Sequence, residues 1–250
     1  MAFPILSVQP STFHKVYPLD QHADAVLDRL SKLGYKAIEG GSSDPAEFKR
    51  KLDARGMVYS GSHTALSSNP DAGALVRYLH AVGGSNVINS GVLSWDKPDL
   101  EVFKESIARL NQLGKTLRAE GMHLSYHNHA LEFDPVDGTR TGMDLLIDGL
   151  DPECCTLAVD VAWVWRGKHD PATFLRQHQH LITYLHLKDT DATHWKELGR
   201  GELEWTSIMT QIAAMPAVTY AAVEQDQTYD TDPLESLAIS REFLRSDFGY

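Results

Sequence analysis

Glu132, Asp160, His186 and Glu224 are carboxylate or imidazole side chains, and each stands at or just beyond the end of a short apolar run. The runs are Ser125-Tyr126-His127-Asn128-His129-Ala130-Leu131-Glu132, Leu157-Ala158-Val159-Asp160, Tyr184-Leu185-His186 and Ala222-Val223-Glu224. If they are consecutive strands about 4.8 Å apart, their ends project into one mouth. Three carboxylates gathered there would repel and raise one another's pKa unless a cation neutralised them. Two Glu, one Asp and one His make a mainly oxygen donor set. That set predicts one divalent metal ion, Mn²⁺ first, with Mg²⁺, Co²⁺, Zn²⁺ or Fe²⁺ as other occupants. The two cysteines, Cys154 and Cys155, are adjacent, which excludes thiolate-rich zinc chemistry and a disulfide framework.

Each of these residues has a plainer use. Asp160 could cap the helix after its strand, Glu224 could pair with a nearby lysine, and His186 could be a hydrogen-bonded core histidine. Their recurrence at corresponding places in four consecutive units favours the metal. Around them, His63, Lys188 and Arg200 are candidate substrate contacts. Arg200, between Gly199 and Gly201, could hold a hydroxyl or carboxylate in a forked contact, or else bind a surface glutamate. Lys188 could instead pair with Asp189. Trp163, just past Asp160, serves either as core or as an apolar platform for a sugar ring. For His127, two residues before His129 on the same strand face, packing or support of a ligand weighs at least as much as ligation.

The elements that must position these groups are marked by a recurring punctuation. Helical periodicity ends at Gly34, Gly56, Gly83-Gly84 and Gly121, and a β-branched or aromatic run follows each. Asp44-Pro45, Asn69-Pro70, Asp170-Pro171 and Asp232-Pro233 mark helix starts, where Asp or Asn caps and Pro tolerates the first turn. Strands are expected near 5–9, 36–40, 57–62, 86–90, 122–127, 156–160, 183–187 and 219–225. Continuous apolar runs such as Thr156-Leu157-Ala158-Val159 suit parallel strands covered on both faces. Eight strands alternating with eight helical stretches over 250 residues give about 31 residues per unit. The fold class is therefore α/β, a single (β/α)₈ TIM barrel spanning 1–250, with catalytic groups at the C-terminal strand ends. A doubly wound open sheet is the alternative, without a Gly-rich phosphate fingerprint to support it.

With 23 Lys and Arg against 34 Asp and Glu, the formal charge is −11. No nucleic-acid backbone and no anionic membrane is expected as partner. No run approaches the roughly 20 apolar residues of a membrane span, and the N-terminus lacks the charged leader of a signal peptide. A reducing cytoplasm is the expected compartment. The expected partner is a small molecule; a homo-oligomer is compatible with this reading.

Tyr126-His127-Asn128-His129 with Glu132-Phe133, Asp160-Val161-Ala162-Trp163-Val164, Leu185-His186-Leu187-Lys188-Asp189, Leu198-Gly199-Arg200-Gly201-Glu202-Leu203-Glu204-Trp205 and Val223-Glu224-Gln225-Asp226 together carry a resemblance. Over nearly its whole length the chain resembles the sugar-phosphate isomerase/epimerase superfamily, with a xylose-isomerase-like barrel, which also includes inosose dehydratases and the barrel of endonuclease IV. The resemblance implies that Glu132, Asp160, His186 and Glu224 hold one divalent metal. It further implies that Glu132 and Glu224 are the catalytic pair, exchanging a proton with a carbon beside the substrate carbonyl. Two departures stand out. His127-Asn128-His129 intervene before Glu132 where the epimerases place their first Glu directly at the strand end, so His129, a candidate substrate contact, competes for that coordination position. Trp163 stands where those epimerases often carry a His.

The expected function is a divalent-metal-dependent sugar isomerase or epimerase acting through an enediolate on a keto-sugar or related polyol. The alternatives are a lyase or dehydratase of the inosose or 3-keto-glycoside type, which needs the same metal and base, and a non-catalytic carbohydrate-binding barrel. Too few ligands for a three-zinc cluster, and the negative charge, disfavour a phosphodiesterase.

Overall fold

The computed structural model describes residues 3–250. Eight parallel strands form one sheet: β1 (Ile5–Val8), β2 (Ala37–Glu39), β3 (Val58–Thr64), β4 (Asn86–Ser90), β5 (His123–His127), β6 (Cys155–Asp160), β7 (Ile182–Leu187) and β8 (Tyr220–Val223). Their order is β1-β8-β7-β6-β5-β4-β3-β2. A bond from the Lys36 N–H to the Leu6 carbonyl, 3.0 Å, draws β2 back to β1, so the barrel is nearly closed. The helices are α1 (Leu19–Leu33), α2 (Pro45–Asp53), α3 (Ala72–Val82), α4 (Leu100–Ala119), α5 (Gly142–Gly149), α6 (Val161–Arg166), α7 (Pro171–His178), α8 (Trp205–Ile212) and α9 (Pro233–Phe248). The expected alternation holds, except that β6 and β7 are joined by two helices rather than one.

The helix boundaries follow from their caps. Asp44 and Asp170 accept the N–H of Glu47 and Thr173 at 2.9 and 2.7 Å, each with Pro in the first turn. Gly34 closes α1 at φ +97°, a conformation that a Cβ would disfavour. Asn69-Pro70 does not open a helix as expected. Asn69 takes φ +49° after a short 3₁₀ turn, and Asp71 caps α3 by accepting the Ala74 N–H at 3.1 Å.

Between sheet and helices lies a continuous apolar layer that includes Val26, Leu30, Phe103, Leu110, Leu157 and Leu185. The inside of the barrel is different. A small cluster of Ile88, Ala158, Tyr184 and Ala222 fills its middle. Beside it run hydroxyl contacts: Ser7 to Ser60 at 2.7 Å, Tyr184 to Ser60 at 2.9 Å, and Thr156 to Thr183 at 2.6 Å. Among the described residues no helix is long and apolar enough to cross a membrane.

Candidate active site

Side chains two apart on a strand share a face, so the small inward residues of each strand are followed by polar ones at its C-terminal end. Asp160 follows Ala158 on β6 and is the register partner of His186 on β7. Ala222 on β8 pairs with His186, and Glu224 lies two residues beyond it. His127 ends β5, opposite Ala158. Ligand atoms of His127, Asp160, His186 and Glu224 all lie within 4.8 Å of one another, and all four side chains are buried. Asp160, His186 and Glu224, three of the four residues expected to hold a metal, are thus brought together.

Glu132 does not join them. It sits five residues past β5, in a 3₁₀ turn, Leu131–Phe133. One carboxylate oxygen accepts from the Tyr126 hydroxyl at 2.6 Å and the other from the His129 N–H at 2.8 Å. Burial pushes its pKa up to about 7. His127 stands in the cluster instead.

Lys188, two residues beyond His186, turns into the same layer. Its ammonium lies 3.0 Å from Asp160 Oδ2, 3.1 Å from Glu224 Oε2 and 2.9 Å from Asp226 Oδ1. It does not pair with Asp189, which accepts from the N–H groups of Gly199 and Gly201 and from Trp205 Nε1. Asp189 therefore shapes the loop that carries Arg200. Arg200 itself is exposed, its nearest carboxylate Glu197 at 3.8 Å.

His186 is held from both sides: Nδ1 is 2.7 Å from Glu224 Oε2 and Nε2 is 2.9 Å from Glu39 Oε2. Burial opposes its charged form, but the two carboxylates outweigh this and push the pKa up to about 10. Burial likewise opposes ionisation of Glu39, and His186 and His63 outweigh it, pulling the pKa down to about 2. Glu39 was not among the residues singled out from the sequence, although a lone carboxylate ending a strand before Gly40-Gly41 was a signal. His63 places Nε2 against Glu39 Oε1 and Nδ1 at 3.1 Å from Ser90 Oγ, so both its ring nitrogens face protein groups. It borders two clefts over the ends of β1 to β3, of about 570 and 290 Å³; the larger is also lined by Ser42, Tyr59, Thr64 and Tyr78.

On the opposite side of the mouth stands an aromatic wall. His129 lies between Trp95 and Trp163, with ring centroids at 4.8 and 5.3 Å, and Trp163 meets Trp195 at 4.7 Å. Burial, aided by the Lys188 charge, pushes the His129 pKa down to about 3, so its ring is neutral. Trp163 is half-buried, part of this wall rather than of the core proper.

The donor set fits a divalent cation. One Asp160 oxygen caps α6 through the N–H groups of Ala162 and Trp163 at 2.9 and 3.0 Å. The other, Oδ2, is buried against the Lys188 ammonium at 3.0 Å, and His127 Nδ1 is buried without a hydrogen bond. Burial holds the His127 pKa well below its usual range, with His186 adding to the effect, leaving a neutral ring with a free lone pair. Asp160 thus serves both as helix cap and as part of the cluster.

The charge pattern around His186 predicts a pH dependence of stability in the metal-free protein. A histidine with a raised folded-state pKa stabilises the fold below its unfolded value, near 6.5, and loses that contribution as pH climbs through the folded value. The lowered Glu39 contributes above about 4.5 and loses its share as pH falls toward about 2. Metal-free protein should therefore lose several degrees of melting temperature between about pH 6.5 and 10. A melting temperature flat over that window would contradict the pairing.

The model of the xylose isomerase-like TIM barrel family matches residues 27–247. An inosose dehydratase of Bacillus cereus (strain AH820) is 30% identical over 269 residues, covering 89% of this chain and 89% of that protein. One from Bacillus velezensis (strain DSM 23117 / BGSC 10A6 / LMG 26770 / FZB42) is 29% identical over 126 residues, 45% of this chain and 41% of that protein. Among solved structures, a sugar phosphate isomerase/epimerase from Parabacteroides distasonis ATCC 8503 superposes with TM-score 0.84 at 19% identity, covering 98% of this chain and 95% of that one. D-psicose 3-epimerase from Clostridium cellulolyticum H10 does so with TM-score 0.72 at 13% identity, covering 96% and 98%.

Proposed function

This chain belongs to the xylose isomerase-like TIM barrel family, and from that premise we propose that it is a divalent-metal-dependent sugar isomerase or epimerase working through an enediolate on a keto-sugar or related polyol. The observation that carries this reading is the buried meeting of His127, Asp160, His186 and Glu224 from four neighbouring βα units. Those four would hold the metal. When bound, a divalent ion supplies Lewis-acid stabilisation of the negative charge that develops on the carbonyl and hydroxyl oxygens. Two imidazoles and two carboxylates suit Mn²⁺, Co²⁺, Fe²⁺ or Zn²⁺ better than Mg²⁺, which prefers oxygen surroundings.

In this reading Glu224 takes the proton from the carbon beside the carbonyl and delivers it to the former carbonyl carbon on the same face, while the hydroxyl proton passes to the former carbonyl oxygen. Ser11 Oγ donates to its Oε1 at 2.8 Å and fixes the plane of the carboxylate. The attraction of Lys188 and His186 outweighs burial and keeps Glu224 ionised. Trp163 and Trp195 present apolar faces to the sugar carbons and keep water from the reacting centre, while His129 offers an unpartnered, buried Nδ1 to a substrate hydroxyl. Glu132 is engaged by Tyr126 and the His129 N–H. A single carboxylate therefore serves the proton, which favours transfer on one face of the enediolate over inversion by two opposed glutamates.

The same observation favours a second reading, elimination of a β-leaving group, because one base and one metal suffice for it. Turnover of a keto-sugar in D₂O, followed by NMR, separates the two. Isomerisation is expected to place deuterium on the product carbon beside the carbonyl with no loss of water or aglycone. Release of either identifies a lyase, and no turnover of any keto-sugar or keto-polyol with any of the four metals removes both readings.

A further inference from the structure

We propose that Glu39 is a positioning residue that presents His186 to the metal through Nδ1, so that a carboxylate on β2 acts through an imidazole on β7. The assignment rests on the metal reading above and adds to it a residue outside the ligand set.

A neutral imidazole can give a lone pair to a cation from one nitrogen only; the other must carry the proton and needs an acceptor. His186 Nδ1 faces Glu224, a member of the cluster, and Nε2 faces Glu39 Oε2 at 2.9 Å. Glu224, which faces Nδ1, is itself in the ligand cluster, so Glu39 is the carboxylate left to accept the Nε2 proton, and Nδ1 is left for ligation. Glu39 also makes the imidazole a stronger donor.

Two features argue that Glu39 is built for this. The register between β2 and β3 shifts between Ile38 and Glu39: Ile38 pairs with Tyr59, but Glu39 pairs with Gly61. Such a bulge re-aims a side chain at a strand end, here into the barrel mouth. The carboxylate is also fully buried, with its second oxygen against His63 Nε2, and His63 is tied in turn to Ser90 on β4. A chain of contacts, Ser90 to His63 to Glu39 to His186, thus crosses the mouth from β4 through β3 and β2 to β7. A buried carboxylate is costly in isolation, and a hydrophobic residue would pack there with less penalty. What it supplies is a fixed imidazole orientation.

The test uses Glu39→Gln, nearly isosteric and still an acceptor through its amide oxygen, and Glu39→Ala, which removes the acceptor. Each is compared with wild type for Zn²⁺ affinity by chelator competition, for the visible spectrum of bound Co²⁺, and for the His186 nitrogens by long-range ¹H–¹⁵N correlation on the Zn²⁺-loaded protein. Affinity is expected to fall about 10–100-fold in Glu39→Ala and less in Glu39→Gln, with a changed Co²⁺ spectrum in both. Wild type should show Nδ1 ligated and Nε2 protonated, a reading that needs no variant to fold. Ligation through Nε2 in wild type overturns the assignment, as do variants that match wild type in affinity and spectrum while wild type binds the ion. Wild type that binds neither Zn²⁺ nor Co²⁺ overturns the metal reading, and the assignment with it.

Discussion

Glu224→Gln is expected to reduce turnover by about 10²–10⁴-fold at saturating metal, the range removed with a general base. The side chain is buried, with Ser11 on one oxygen and His186 and Lys188 on the other. An amide of the same shape keeps the packing and the Ser11 contact but can neither take a proton nor balance two neighbouring cations. Two losses are combined in that figure, and they separate experimentally. If Glu224 serves only to hold the ion, raising the metal concentration restores the rate as occupancy returns. If it also moves the proton, a fully loaded Glu224→Gln protein stays slow and ceases to exchange the substrate proton beside the carbonyl with D₂O. Near-wild-type exchange in the loaded variant would transfer the base role to another group in the layer. Asp160→Asn supplies the contrast. Its oxygen Oδ1 caps α6 and Oδ2 faces Lys188, so its loss should weaken metal binding, with the rate recovering as metal is added.

Why the sequence yielded three members of this cluster and not the fourth is a matter of strand geometry. Asp160, His186 and Glu224 each lie at or just past the last inward position of a strand, where an apolar run breaks in a charged or imidazole residue. Glu132 lies five residues past the strand, and the expectation of a third carboxylate pointed to it over His127, which ends β5 itself. Residue type outweighed position, and position decides which side chain reaches the mouth. The Lys188–Asp189 pairing fails for a related reason. Neighbours along an extended chain point to opposite faces, so a lysine finds its partners on adjacent strands, here at the ends of β6 and β8. Glu39 depends on a bulge and on a strand far away in sequence, neither of which leaves a periodic trace. The barrel was legible because its signals are local. Glycines follow the ends of α1, α2, α3 and α4 and prolines open α2, α7 and α9, and only Asn69-Pro70 misled, since Asp71 two residues on offered the better cap.

Lys188→Met is expected to destabilise the metal-free protein by about 3–5 kcal/mol, the cost of leaving buried charge without its partner. Burial opposes the Lys188 ammonium, yet Asp160, Glu224 and Asp226 outweigh it and raise its pKa above the ordinary lysine range. The dependence is mutual. Without that ammonium, Asp160 and Glu224 remain fully buried, with His186 as the nearest cation. At about 2–4 °C per kcal/mol, the melting temperature should fall by roughly 10 °C. A methionine of similar length keeps the volume beside Trp163 and Trp195, so the loss is electrostatic rather than a cavity. The sharper consequence concerns the metal. A divalent ion among the same carboxylates supplies the charge that Lys188 supplied, so Mn²⁺, Co²⁺ or Zn²⁺ should raise the melting temperature of the variant by more than that of wild type. Because the gain from a bound ligand grows with occupancy, the two curves should converge as metal is added. If the variant melts like wild type without metal, the carboxylates are not held by Lys188. If metal raises both proteins equally, ion and ammonium do not share those carboxylates, and the ion binds elsewhere in the mouth.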